Sequence, residues 1–205
     1  MSSYGDDLLF ILPPDSLNIA EILETSYIYG PGKRFVIWVQ GCRIGCKGCW
    51  NTSMLSFEEK RIWNIDDLYG RIILVPEIEG ITILGGEPLH QSRSLVKLVR
   101  KLKAIDLTVM LYTGFEIPAV TDQDSLDLLS LSDIVIAGPF VEELRSTSLK
   151  WRGSSNQEVM ISNKAYQKKY ASFPEETEVE LHVDELGRIT LAGYPDSELL
   201  EEVLD

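Results

Sequence analysis

The chain predicts an α/β fold, a mainly parallel sheet with covering helices, on three observations. Strand-like and helix-like periodicities alternate between about residues 34 and 137. Each apolar strand run stops at glycine, at Gly41, Gly85, Gly114 and Gly138. With 205 residues, 44% of them hydrophobic and 25% charged, the chain is long enough to bury one core without disulfides. Length also predicts a single domain over 1–205, with the acidic residues 175–205 as an appendage.

In chain order, Leu8–Leu12 is a short apolar run stopped by Pro13 and Pro14, and Ile19–Leu23 is a second short run expected to pair nearby. Arg34–Gln40 (RFVIWVQ) is rich in β-formers and reads as a buried strand entering a loop. Residues 65–74 read as a helix, and Ile81–Leu84 as a strand ended by Gly85 and Gly86. Over 92–103, Leu95, Leu98, Val99 and Leu102 recur at helical spacing, with Lys97, Arg100 and Lys101 on the other side. Leu107–Thr113 is the next strand, 123–131 a helix and Asp133–Ala137 a further strand. Glu178–Val183 and Arg188–Leu191 flank a turn at 185–187, giving a hairpin before a terminal helix at 196–204.

Charge and composition exclude several functions. The net charge is −13, and residues 174–205 carry −10 of it. Such a surface opposes a phosphate backbone, so no nucleic acid partner is expected; the acidic tail is a solvated surface or a docking face for a basic partner. No run approaches the roughly 20 apolar residues of a membrane span, and the acidic N-terminus lacks a signal-peptide layout. Three cysteines, all within eight residues, cannot form a disulfide framework and suit a reducing cytoplasm.

Those cysteines, Cys42, Cys46 and Cys49, are spaced C-x3-C-x2-C in a loop that also holds Gly41, Gly45 and Gly48. Three thiolates there can take three corners of a cubane iron–sulfur cluster, while the glycines let the backbone curl around it. With no fourth cysteine, one iron is left open to a small molecule. The other readings are a zinc site completed by His90 or His182, an electron-carrying cluster, and unliganded buried thiols.

The loop resembles the cluster loop of radical S-adenosylmethionine (SAM) enzymes. Ile83-Leu84-Gly85-Gly86-Glu87-Pro88, 36 residues after Cys49, resembles the turn by which those enzymes bind the SAM amino group. Gly30–Arg34, Gly85–Gln91, Leu111–Phe115, Gly138–Phe140 and Trp151–Gln157 are similar to segments of the small activating proteins of anaerobic ribonucleotide reductase. These motifs run from about residue 25 to 160. The resemblance implies a partial, open parallel β/α barrel of the radical SAM type, since about 200 residues are too few for a full barrel.

By the same resemblance, the chain carries a 4Fe-4S cluster on Cys42, Cys46 and Cys49 and cleaves SAM reductively to a 5′-deoxyadenosyl radical. That radical takes a glycine hydrogen from a partner enzyme, leaving a glycyl radical, with a flavodoxin- or ferredoxin-type protein as electron donor. Backbone around Gly48 and Trp50 is implied to contact the adenine, with the Trp50 indole a lid or ordinary core. Gly85, Gly86 and Glu87 are implied at the amino group, so Gly86→Val is expected to weaken SAM binding more than cluster content.

Thr113 stands where a hydroxyl reaches ribose or carboxylate, and Arg145 and Arg152 are candidates for the SAM carboxylate. Ser154, Ser155 and Asn156 read equally as turn residues, and His90 and His182 as structural. Ala137 departs from the family, which usually has an acidic residue just before Gly-Pro-Phe. That departure bears on the ribose contact and leaves open a stand-alone radical SAM enzyme acting on a peptide or small molecule.

Overall fold

The computed structural model describes residues 12–171, 178–183 and 186–193. Most of the Leu8–Leu12 run, part of the 185–187 turn and the 196–204 helix lie outside the described residues. Seven strands form the main sheet in the order β3-β1-β2-β4-β5-β6-β7. They are β1 (Ser16–Ser26), β2 (Arg34–Val39), β3 (Ile62–Asn64), β4 (Gly80–Gly85), β5 (Thr108–Thr113), β6 (Ile134–Ala137) and β7 (Glu158–Ile161). The central strands β2, β4, β5 and β6 run parallel, whereas β1, β3 and β7 are antiparallel to their neighbours. A separate hairpin joins β8 (Val179–Val183) to β9 (Ile189–Gly193).

The parallel strands are linked through α1 (Ile65–Ile73), α2 (Ser92–Lys103) and α3 (Gln123–Leu131), and α4 (Lys164–Lys169) follows β7. Strand alternation divides the sheet into two faces. Phe35, Ile37, Ile81, Ile83, Val109, Leu111 and Val135 share a core with Leu68 and Ile72 of α1, the predicted stripe Leu95, Leu98, Val99 and Leu102 of α2, and Leu128 of α3. Each fully buried aliphatic side chain there contributes roughly 1.5–3 kcal/mol. Asn64 caps α1 and Asp122 caps α3, each accepting a backbone amide of the first turn. The α2 cations remain outside, Lys97 on Asp15, Arg100 on Asp127 and Lys101 on Asp66.

The other face, left uncovered by these helices, carries Val36, Trp38, Leu84, Met110, Ile134 and Ile136, with Tyr29, Trp151 and Tyr166 against them. Its lower end is closed by Arg34, 1% exposed. The guanidinium donates to the hydroxyls of Thr82 and Thr108 and to the carbonyls of Pro31 and Ile81. Burial draws its pKa down.

The helices and parallel strands predicted from periodicity are present within a residue or two. The sequence reading did not include β3, β7 and α4. The first two are short segments of three and four residues, too short for alternation to register. The run expected over Ile19–Leu23 extends to eleven residues and bulges twice where it pairs with β2.

Candidate functional site

All four glycine-terminated strands end at the same rim, as parallel α/β architecture requires. The rim encloses a cavity of about 240 Å3 lined by all three cysteines, Gly85–Pro88, Thr113, Gly114 and Gly138. Its apolar wall includes Tyr29 and Trp38, packed edge to face at 5.1 Å, together with Tyr112 and Trp151. Sequence reasoning passed over these aromatics. The signal was strand parity, since Val36 and Trp38 must face away from the helix-covered side that holds Phe35 and Ile37.

Parallel pairing of β2 with β4, Val39 beside Gly85, brings the two motifs together although 36 residues separate them in sequence. Backbone bonds then lace them. Gly86 donates to the Val39 carbonyl at 2.8 Å, Glu87 to the Gly41 carbonyl at 2.9 Å, and Asn51 Nδ2 to the Gly85 carbonyl at 3.2 Å. The cysteine loop is pinned at its base by Gly41 donating to Met54 and Cys42 to Leu55. Gly45 and Gly48 take φ of +66° and +70° in the loop, a conformation costly for any other L-residue.

The thiols are half-buried and form no disulfide. Burial pushes the Cys42 thiol up, and amides of Ile44 and Gly45 directed at its sulfur oppose that shift. Among the described residues, no group of three His, Cys, Asp or Glu side chains converges on a point that would hold a single metal ion. A cluster makes a different demand, because each thiolate binds its own iron. Three soft donors along one wall, amides aimed at sulfur and a glycine-rich backbone fit that demand. A Cys3His zinc site is not assembled: neither histidine lines this cavity. His90 accepts the Arg43 amide at 3.3 Å and packs against Phe57 and Phe115, whereas His182 lies on β8 beside Glu180.

Glu87 is 1% exposed rather than a solvated strand-end carboxylate. One oxygen accepts the Leu89 amide at 2.9 Å and the Thr113 hydroxyl at 2.9 Å, and the other accepts the Gly114 amide at 2.8 Å. The carboxylate therefore clamps the end of β4 to the end of β5. Thr113, expected to reach a ligand, has its hydroxyl engaged within that clamp. Desolvation outweighs the three donors and lifts the Glu87 pKa to about 7.

A folded-state pKa above the unfolded value of 4.5 means that the native protein binds the extra proton between the two. Stability should thus fall as pH rises from about 4.5 to 7, by at most about 1.4 kcal/mol per unit. Urea midpoints of the cluster-free protein should follow that slope, and Glu87→Gln should flatten it. An unchanged profile in the variant would remove Glu87 as its source.

The remaining candidates divide. Trp50 is half-exposed, with the Arg145 guanidinium 5.6 Å from its ring centre, and Lys47 pairs with Glu142 at 2.9 Å, so the cysteine loop leans on segment 142–145. Arg145 is not part of the cavity wall, whereas Arg152 is. The Nε of Arg152 is buried without a hydrogen-bond partner, and Nη1 reaches the Gln157 carbonyl at 3.4 Å. Ser154 and Asn156 hold a turn, Ser154 Oγ accepting the Val141 amide and Asn156 Nδ2 donating to Pro139. The Ala137 methyl packs in the helix-side core with Leu111 and Val135 and does not line the cavity.

Residues 28–160 match the family of the 4Fe-4S single cluster domain. The anaerobic ribonucleoside-triphosphate reductase-activating protein of Haemophilus influenzae is 32% identical over an alignment of 152 residues, with 69% of this chain and 96% of that protein covered. This chain belongs to that activating-protein family. The activating protein of Escherichia coli K12 is 29% identical, with 70% and 97% of the two chains covered. That of Enterobacteria phage T4 is 31% identical, with 69% and 92% covered. Both halves of the laced motif lie within the family-matched residues, as do Thr113, Arg145 and Arg152. The β8–β9 hairpin lies beyond them.

Proposed function

We propose that this chain is a radical SAM activase that installs a glycyl radical on a partner enzyme, an anaerobic ribonucleotide reductase. One observation carries the reading: the three-cysteine loop and the Gly-Gly-Glu-Pro turn are bonded to each other at the mouth of one cavity, in a member of the activating-protein family. Cys42, Cys46 and Cys49 would hold a 4Fe-4S cluster. When bound, that cluster and SAM supply a reducing electron and a 5′-deoxyadenosyl radical, the hydrogen-abstracting species.

The chain's own residues position and protect that chemistry. Gly85 and Gly86 offer backbone to the methionine amino group, with the Glu87–Thr113 clamp holding their turn in place. Arg152, whose guanidinium has unspent donor capacity at the cavity wall, suits the methionine carboxylate better than Arg145. Backbone near Gly48 and Trp50 would border the adenine. The aromatic wall of Tyr29, Trp38, Tyr112 and Trp151 excludes water from a reactive radical.

The strand order β2-β4-β5-β6, with all three linking helices on one face, supports reading the sheet as a partial, open barrel of the radical SAM type. A flavodoxin- or ferredoxin-type donor would supply the electron. The Ala137 methyl lies in the helix-side core and so adds no support to the stand-alone reading.

The test is anaerobic reconstitution with iron and sulfide, then dithionite and SAM. The expected products are 5′-deoxyadenosine and, with the anaerobic reductase present, a doublet radical signal on the reductase. 5′-Deoxyadenosine without a radical on the reductase would favour a peptide or small-molecule substrate.

A further inference from the structure

The β8–β9 hairpin is docked with its polar face inward. Glu180 accepts the Ser26 hydroxyl at 2.7 Å and the Tyr27 amide at 2.6 Å, Gly193 donates its amide to the Tyr29 hydroxyl at 3.1 Å, and Glu178 pairs with Lys150 at 3.5 Å. Glu178 and Gly193 thereby become part of the cavity wall. Alternation turns the other face outward. Register places Val183 opposite Ile189 and Leu181 opposite Leu191, so these four share one face. Leu181, Val183 and Ile189 are 54%, 66% and 57% exposed. An amphipathic hairpin ordinarily buries its aliphatic side. Here that side faces solvent, while side-chain bonds from Glu180 and Glu178 hold the hairpin in place.

We infer that this apolar face is a docking surface for the partner enzyme whose glycine loop enters the cavity. The inference rests on the activase reading and says where the partner sits. Three observations select a protein partner with an apolar patch rimmed by Lys and Arg. The hairpin that carries the face also lines the cavity, through Glu178 and Gly193. An apolar centre with a polar rim is the anatomy of a protein interface. Residues 174–205, the stretch of sequence that includes the hairpin, hold eleven carboxylates against one arginine, a charge balance that favours a basic partner over an acidic one. The hairpin lies outside the family-matched residues, so the surface adds to the shared activating-protein core.

The experiment compares the full chain with two double variants, Leu181→Thr with Val183→Thr, and Leu181→Lys with Val183→Lys. Both change only exposed strand positions, and the threonine pair keeps β-forming side chains. The probe is the catalytic subunit of the same organism's anaerobic ribonucleotide reductase. The Kd should rise about tenfold for the threonine pair and further for the lysine pair, which also repels a basic rim. SAM cleavage by the reconstituted chain alone should stay within twofold of wild type. The radical yield on the reductase should fall in step with affinity.

Unchanged affinity in both variants would overturn the inference. So would a wild-type dimer that the variants dissolve, which would make the face a self-interface. Protection of the Leu181, Val183 and Ile189 methyl groups from a soluble paramagnetic probe in the isolated monomer would show that the chain covers the face itself, and would overturn it too. A wild-type chain that binds the reductase through this face yet makes no 5′-deoxyadenosine would defeat the activase chemistry and leave the docking surface standing.

Discussion

Cys46→Ala should leave a soluble, folded chain that cannot hold a cluster. Iron per chain and the visible absorption of the reconstituted protein should fall to a small fraction of wild type, and 5′-deoxyadenosine formation should fall by at least about a hundredfold, roughly 2.7 kcal/mol of lost transition-state stabilisation or more. The loop is anchored by backbone bonds at Gly41 and Cys42, and Cys46 is half-buried at the cavity wall rather than packed in the core. Removing its sulfur therefore takes one of three thiolate ligands without removing a core side chain. Far-UV circular dichroism and the urea midpoint of the cluster-free form should match wild type within about 0.5 kcal/mol. A wild-type cluster spectrum in Cys46→Ala would refute the ligand assignment. Loss of fold along with the cluster would make Cys46 a structural residue.

Gly86→Ala should remove cluster and SAM binding together, which revises what the sequence implied. A Cβ at Gly86 would lie 2.4 Å from the Gly41 carbonyl oxygen and 2.9 Å from that of Met54. Both are backbone atoms at the base of the cysteine loop, so neither can swing aside. The added methyl must push the β4 turn away from Gly41, breaking the hydrogen bond from the Glu87 amide to the Gly41 carbonyl that joins the two motifs. Overpacking of this kind costs about 1–3 kcal/mol, and the larger valine costs more. Gly70→Ala is the control. It lies in α1 with nothing within 4 Å of a new Cβ, and in a helix interior should gain about 0.5–1 kcal/mol. Iron content, SAM affinity by equilibrium dialysis and urea midpoints separate the cases. Full cluster content in Gly86→Ala, with only SAM affinity reduced, would return Gly86 to a ligand-contact role and make the loop more compliant than its bonding indicates.

Particular residues show where sequence reasoning reached and where it stopped. The cysteine spacing and the Gly-Gly-Glu-Pro turn were legible because each is a local constraint, written into consecutive residues. The stripe on α2 was legible because the helical period repeats over three turns. Glu87 and Thr113 were recognised as site residues, but their bond to each other was not visible, because they are 26 positions apart and meet only through adjacent strand ends. Arg145 and Arg152 looked equivalent in sequence. One stacks on Trp50 and the other lines the cavity, a difference set by the turn at 145–154. His90 reads as structural in the sequence, but its partner, the Arg43 amide 47 positions away, is visible only in the fold.

What the sequence determined by itself is the chemistry available to this protein: three thiols in a glycine-rich loop, a glycine turn after a strand, a net acidic charge and an α/β order of elements. Those properties depend on residue identity and near-neighbour spacing, which a linear text contains. Tertiary structure decided the rest. Parallel pairing of β2 with β4 put the two motifs in contact, strand parity assigned the aromatic residues to the cavity and Ala137 to the core, and docking through Glu180 turned an aliphatic hairpin face outward. Each of these depends on which distant segments share register, and register is set by packing across the whole sheet rather than by any one stretch of chain.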